Sequence, residues 1–316
     1  MKRRMKIAKI LLVLLTLVAC GVVMYSFKPE TRKTDEQKAS ISPADLDKFS
    51  HENINYQMDP PPPGADDDKI FGDIADIVRR GELIVLTRRK GNTPLFQMKT
   101  DKGYIGEDIE FAKSIADSLG VKLTMRMIYE TCDDIVDAIA ANKGDIGISK
   151  ISYTDERSAK VLYTDPYVTS DLCVLVNRMA MKKLGVHTLD ELFANKDALI
   201  AGHKDTSYEY NARQFSTNAK VVSEADWDEI IKKLRSNKYS ATVRDTVVIN
   251  LLLYEHPRYC LELLPIALKD HADSYAAVVH SKNASLCEWV NRHLNIKLKE
   301  QPQINNLIHK YSGYSK

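Results

Sequence analysis

The sequence predicts an α/β chain of two lobes, each a mainly parallel sheet flanked by helices. Three observations lead there. The chain has 316 residues, enough for two lobes of ordinary size. From about residue 70 onward, segments of strand period alternate with segments of helix period. The alternation breaks near residue 170 and starts again, which separates two α/β blocks.

In the first block, Leu83 to Leu86 is a short apolar run that reads as a buried strand. Ile109, Ala112, Ile115, Ala116 and Leu119 recur at helical spacing, and Gly120 follows as a stop. Val121, Leu123, Met125 and Met127 alternate with polar residues, as a strand does. Thr131 opens a helix with Asp133 and Asp134 in its first turn, where the helix dipole favours acids. Gly144 ends it, and Ile146 to Ile148 is a strand. In the second block, Leu172 to Asn177, Leu199 to Ala201 and Ala241 to Val243 read as strands. Thr188 and Glu191 form a capping box. Trp227, Ile230, Ile231 and Leu234 mark one amphipathic helix, and Val247, Val248, Leu251 and Leu252 another. Tyr275 to His280 is a late strand, and Ile304, Leu307, Ile308 and Tyr311 form a final helix. Ligands in such sheets bind at the carboxyl ends of strands, beside helix amino termini.

Composition narrows the function classes. A hydrophobic fraction of 44% and a charged fraction of 28% are globular values. The formal net charge is +2, from 45 basic and 43 acidic residues, with no basic stripe interleaved with aromatics, so a nucleic-acid partner is not expected. Lys2, Arg3, Arg4, Lys6 and Lys9 precede an almost uncharged run from Ile7 to Phe27, the arrangement of an export signal. Leu17-Val18-Ala19-Cys20 resembles a bacterial lipobox, with Cys20 as the lipidated residue. The apolar stretch continues past Cys20, however, and is long enough for an uncleaved membrane anchor. Ordinary cleavage is the third possibility, and all three place the rest of the chain outside the cytoplasm. Residues 28–69 read as a polar stalk, with the run Pro60-Pro61-Pro62-Pro63 stiffening it. The solute-binding region is then 70–316, with one lobe over 70–170 and 275–316 and the other over 171–274. Cys132, Cys173, Cys260 and Cys287 lack metal-ligand spacing, so no metal is expected. They are either buried small thiols or include a disulfide between Cys260 and Cys287.

Asp145-Ile146-Gly147-Ile148-Ser149-Lys150-Ile151-Ser152-Tyr153-Thr154-Asp155-Glu156-Arg157, followed by Tyr163-Thr164-Asp165-Pro166-Tyr167, resembles the bacterial extracellular solute-binding proteins of family 3. Gly106-Glu107-Asp108-Ile109-Glu110 and Lys310-Tyr311-Ser312-Gly313 resemble two further motifs of that family, in its order and spacing. The resemblance implies a two-lobed, type II periplasmic binding protein-like fold. It also implies that a small amino-acid-like ligand is bound without chemistry and without a cofactor, and is passed to the permease of an ABC importer. Crossovers near Tyr167–Leu172 and Asp270–Tyr275 would form the hinge. Arg244-Asp245-Thr246-Val247-Val248-Ile249, with Glu255-His256-Pro257, also resembles the non-catalytic binding domain of membrane-bound lytic murein transglycosylases. This chain ends where their catalytic domain would start, so lytic activity is not expected, and a sensory or cell-wall regulatory role is the alternative.

An α-amino acid brings a carboxylate and an ammonium, and both need partners when buried. Arg157 offers a planar fork for the carboxylate, and the resemblance gives it that role. Ser149 ends the preceding strand and would meet polar groups of the ligand. Lys150 stands where relatives often have a small residue or glycine, either adding a cation to the site or pointing to solvent. Thr206 and Ser207 open a helix whose amino terminus would be an anion site, or Thr206 is a plain helix cap, and Asp205 stands where the resemblance implies a glycine. The resemblance makes Asp245 the ammonium partner; otherwise it caps the helix beginning near Thr246. Arg244 would face outward by strand alternation. Phe96 is a candidate wall for the ligand side chain, and Tyr129 a second lining aromatic. Arg88, Arg89 and Lys90 form a basic cluster, either favouring an acidic ligand or lying in solvent. A rival class is a prephenate or arogenate dehydratase, which would need a general acid; Glu107 and Glu209 qualify by residue type alone.

Overall fold

The structure is a computed structural model that describes residues 49–66, 69, 71–90, 93, 95–297 and 310–311. The expected leader, Cys20, the stalk up to residue 48 and all of the expected terminal helix except Lys310 and Tyr311 lie outside the described residues.

Nine strands form one sheet, in the order β1-β5-β2-β6-β11-β7-β10-β8-β9. Its first half holds β1 (Ile54–Gln57), β5 (Lys122–Tyr129), β2 (Glu82–Arg88) and β6 (Ile146–Ser152), all mutually parallel. Its second half holds β10 (Ala241–Asp245), β8 (Leu199–His203) and β9 (Lys220–Glu224), again parallel. Between them run two long antiparallel strands, β7 (Val161–Asn177) and β11 (Leu263–His280). Both halves of the sheet are therefore joined through the same pair of strands. Their ladder changes register between Leu268 and Ala272, and again around Ala276. The residues expected as crossovers lie on this pair. A small hairpin, β3 (Met98–Thr100) with β4 (Gly103–Ile105), stands apart.

The helices follow from local chemistry. α1 (Ile74–Arg80) is capped by Asp73. α2 (Glu107–Leu119) carries three acids in its first turn and ends on Gly120, whose φ of 69° is the left-handed stop that glycine adopts without penalty. α3 (Cys132–Ala140) starts with a capping box in which Thr131 and Asp134 each bind the other's backbone N–H. α4 (Asp155–Ser158) is capped by Thr154. α5 (Arg178–Leu184) and α6 (Leu189–Ala194) follow β7. At α6 the Thr188 hydroxyl accepts from Glu191 N at 3.2 Å, but the Glu191 carboxylate reaches His187 N instead of closing the expected box on Thr188. α7 (Ser207–Phe215), α8 (Trp227–Arg235) and α9 (Thr246–Glu255) cover the second half, and α10 (Ala284–Lys297) follows β11.

The halves have separate buried faces. Leu83, Val85, Ile109, Ile115, Met125 and Ile146 pack together in the first, and Val174, Val176, Phe193, Ile200 and Val243 in the second. All seven residues of β6 and all five of β10 are buried, as expected of parallel strands covered on both faces. Val247 and Leu251 of α9 pack with the first group, so that helix ties its own half to the other.

Three further expectations are corrected. Residues 54–57, expected within a stalk, extend the sheet edge as β1, and Phe49, Ile54, Tyr56 and Met58 pack on the first core. Arg126 holds this segment through Gln57 and an ion pair to Asp66 at 3.0 Å. Arg244, expected to face outward, is 1% exposed, because neither face of β10 meets solvent. Cys260 and Cys287 do not bond: Cys260 is exposed, Cys287 is buried, and all four cysteines of the described residues are free.

Candidate functional site

The carboxyl ends of β2 and β6 face those of β8 and β10 across the long strand pair. β2 ends on Arg88, β6 carries Ser149 and Lys150, β8 ends on His203 and β10 on Asp245. Lys150 reaches across. Its Nζ donates to Asp245 Oδ2 at 2.9 Å and to Tyr208 Oη at 2.6 Å, while Tyr208 Oη donates to the same Asp245 oxygen at 2.8 Å. Three rings surround the ammonium: Tyr275, Tyr208 and Phe96, with centroids at 4.4, 5.1 and 5.6 Å. The arrangement is a cation cage, a carboxylate with aromatic faces, and its occupant is the chain's own lysine.

The backbone is shaped for this reach. Lys150 has φ 50°, a left-handed conformation uncommon for a residue with a side chain. Its N–H donates to Tyr167 Oη at 3.0 Å, and Tyr167 donates onward to Asp108 Oδ1 at 2.6 Å. Residues 148–150 coincide with the register break between β6 and β11. Burial raises the Asp245 carboxyl, but the charges of Lys150 and Arg244 outweigh it and hold the group below the usual carboxylate range. Burial pulls the Lys150 ammonium down, with Asp245 opposing. The other Asp245 oxygen accepts from Val248 N at 2.9 Å, so the residue both caps α9 and balances the lysine.

Arg244 lies beneath this pair. Its guanidinium stacks over Trp227 at 4.5 Å and donates to His203 Nδ1 at 3.0 Å. The other ring nitrogen of His203 faces the Ala225 carbonyl at 3.1 Å. Burial and the neighbouring Arg244 push the imidazole down to about 4, which keeps it neutral.

A cavity of about 320 Å³ opens above Lys150, lined from the first half by Arg88, Ser152 and Arg157 and from the second by His203, Thr206 and Ser207. That volume suits a small-molecule ligand. Arg88 is 8% exposed, and its Nε donates to Ser149 Oγ at 3.1 Å. Among the described residues it has no ion pair, although the buried Asp108 feels its charge. Arg157, held in the first turn of α4 by the Thr154 cap, donates through Nε to Asp133 at 2.7 Å and through Nη1 to the Ser152 carbonyl at 3.0 Å. Thr206 Oγ1 donates to the His203 carbonyl at 2.6 Å, which leaves the first N–H groups of α7 without a side-chain cap. Asp205 adopts φ 57°, the conformation a glycine would take, and asparagine and aspartate tolerate it better than most. A second, wider cavity of about 840 Å³ lies alongside and shares Arg157, Thr206 and Ser207.

Of the residues expected at the site, Arg157, Lys150, Thr206 and Ser207 line the first cavity. Asp245 does not: it is wholly buried behind Lys150 and Tyr208. Ser149 is buried under Arg88. Phe96 is 2% exposed and packs edge-on against Tyr275, a wall of the lysine cage and not of the open cavity. Tyr129 packs beside Ile135, Val136 and Ile151 and lines neither cavity. Arg88, from the expected basic cluster, is the member that enters the site; Arg89 faces Glu130 at 3.5 Å. Tyr208, Tyr275 and Asp273 were not expected. Tyr275 donates to Asp273 Oδ2 at 3.0 Å, and Asp273, raised by burial, adds a second acid near Lys150. Of the two candidate acids, Glu107 lines neither of these cavities, and Glu209 lines the wider one but pairs with Arg213, which holds its carboxyl below the usual range against the pull of its own partial burial.

Two α/β halves on a shared pair of strands, with a polar cavity between their strand ends, define a solute-binding protein of the type II periplasmic architecture. The chain belongs to the bacterial extracellular solute-binding proteins, family 3, whose model matches residues 84–314. Among solved structures it is similar to an ancestral cationic amino acid solute-binding protein (27% identity, TM-score 0.59, covering 75% of this chain and 98% of that one). It is likewise similar to an amino acid ABC transporter substrate-binding protein from Streptococcus pneumoniae, bound to L-arginine (25% identity, TM-score 0.60, covering 76% and 98%). Curated relatives include the membrane-bound lytic murein transglycosylase F of Saccharophagus degradans, 22% identical over 245 residues, and that of Erwinia tasmaniensis, 26% identical over 246. Each match takes in 76% of this chain but 46% and 47% of the relative, so the chain spans about half the length of these enzymes.

Proposed function

We propose that this chain binds a small polar solute bearing a carboxylate in the cleft between its two halves, which close on it by bending β7 and β11. It works as an extracytoplasmic, membrane-tethered binding protein that hands the solute to an ABC permease and performs no chemistry. One observation carries the reading: a cavity of about 320 Å³ takes Arg157 from one half and the amino terminus of α7 from the other. A guanidinium fork and free backbone N–H groups are the two commonest ways to hold a carboxylate. Closure removes water from both and strengthens each charge-assisted bond. The relatives that bind amino acids support the solute class.

A second reading, in which the bound state signals to cell-wall machinery instead of feeding a permease, draws on the similarity to the murein transglycosylases. In both readings binding precedes everything else. The test is a thermal-shift screen of small carboxylates and amino acids with the wild-type chain and Arg157→Ala. A ligand at 100 times its dissociation constant adds about 2.7 kcal/mol. A hit whose shift disappears in Arg157→Ala supports the site; a shift of equal size in the variant removes Arg157 from it.

A further inference from the structure

We propose that the solute is a small carboxylate without an ammonium group, because the cation cage of the cleft is already filled by Lys150. This rests on the solute-binding reading above and narrows its ligand class.

Asp245, Tyr208, Tyr275 and Phe96 together would bind an alkylammonium from any source, since a buried carboxylate ringed by aromatic faces is cation chemistry. Lys150 Nζ occupies that place, bonded at 2.9 and 2.6 Å to Asp245 and Tyr208. It is 6% exposed, and its bonds are made to groups of the opposite half. A ligand ammonium would have to expel a tethered, fully bonded ammonium to take the same carboxylate, with no gain in charge pairing to offset the loss.

The groups that remain toward the cavity are donors and cations. Arg88 is more than nine-tenths buried and has no ion pair among the described residues. Asp108 feels its charge without pairing with it, and a buried guanidinium with no carboxylate in direct contact calls for an anion. Arg157, Ser207 and the uncapped start of α7 stand around the same space. The acids among the lining residues are Glu130 and Asp205, whose side chains are 69% and 71% exposed and which lie beside Arg89 and Lys204. A cavity of about 320 Å³ exceeds what an inorganic oxyanion fills and suits a carboxylate of a few carbons.

Isothermal titration of the purified full chain tests this with matched probes that differ by one ammonium: propionate against L-alanine, succinate against L-aspartate, glutarate against L-glutamate, with inorganic phosphate as a fourth arm. The expected result is that at least one amine-free member binds, tenfold or more tighter than its amino partner and than phosphate. In Lys150→Ala, which vacates the cage, the amino partner is expected to gain at least tenfold and reverse the order. An amino acid binding the wild type as tightly as its amine-free partner overturns the proposal and leaves the solute-binding reading intact. So does tighter phosphate binding, or binding of amino acids by Lys150→Ala when the wild type binds nothing. No heat with any probe in either protein sinks the solute-binding reading itself. Should Lys150→Ala fail to fold, Arg88→Gln carries the test: a tenfold loss of carboxylate affinity at unchanged melting temperature is expected, and undiminished affinity overturns the proposal.

Discussion

Glu107 gives the structure's clearest pH dependence. It opens α2 at 6% exposure, beside Asp108 and Glu110, with Lys310 as the nearby cation. Burial raises its carboxyl from 4.5 to about 7, the neighbouring acids add to the rise, and Lys310 opposes it. The folded chain therefore keeps a proton that the unfolded chain has already lost. Stability from this group is full below the unfolded value and falls as pH rises through the folded one. The ceiling is 2.5 pH units at 1.36 kcal/mol each, about 3.4 kcal/mol, and about 2.5 kcal/mol of it falls between pH 5 and pH 8. Glu107→Gln mimics the protonated side chain and removes this share. Asp108, raised by burial to about 6, keeps its own smaller dependence in both proteins. Urea unfolding at pH 5, 6, 7 and 8 should show the wild type losing about 2.5 kcal/mol more than Glu107→Gln across that range. Parallel pH profiles for the two proteins would refute the argument, because they would mean that Glu107 ionises inside the fold at no cost.

Two further outcomes concern the framework. Asp145 is fully buried and accepts from Gly72 N at 3.0 Å, Ile84 N at 2.8 Å and Arg80. Asp145→Ala orphans two backbone donors and takes the carboxylate from a largely buried guanidinium that keeps its bond to the Glu82 carbonyl, so a loss of about 3–5 kcal/mol in urea unfolding is expected, and less than 1 would discount the network. Gly106, the cap of α2, has φ 126°, and a Cβ there would lie 2.3 Å from the Phe96 carbonyl oxygen. Gly106→Ala should cost about 2 kcal/mol or more and blur the near-ultraviolet circular dichroism of the Phe96–Tyr275 pair; an unchanged spectrum and midpoint would show that the backbone yields freely.

Much of the architecture could be read along the chain because it is local. Thr131, Thr154 and Gly120 announce helix ends, and the apolar stretches of β2 and β6 announce buried strands. β1 was hidden because Ile54 and Tyr56 alternate over four residues in a polar, proline-flanked stretch, too short for period 2 to stand out. Arg244 was misplaced for a different reason. Strand alternation predicts an outward face only where one exists, and every residue of β10, between β7 and β8, is buried. The site divides in the same way. Arg157 is placed by the four-residue helix that Thr154 caps, a signal contained within a few residues. The Lys150–Asp245 bond joins residues 95 positions apart and needs both halves of the sheet to exist before it has meaning. Tyr208 and Tyr275 read as ordinary apolar-face aromatics until a lysine is found between them; the hint in the sequence was a lysine at a position where the family resemblance implies a small residue.

The same ion pair bears on how the cleft opens. Lys150 belongs to one half and Asp245 and Tyr208 to the other, so any separation of the halves must break this bond and expose the cage. A buried pair with good geometry roughly offsets its own desolvation, whereas a pair pulled apart inside a dry interior costs about 3–5 kcal/mol. The cost is low only if water enters as the halves part, so opening and wetting must occur together. In the proposed closure, forming the pair as water leaves is then close to neutral, so the energy of closing falls to the ligand held by Arg88, Arg157 and the start of α7, and the lysine fixes the geometry of the closed state. On the proposed reading, Lys150→Ala would change which charge the cleft accepts and would remove a bond that the two halves share.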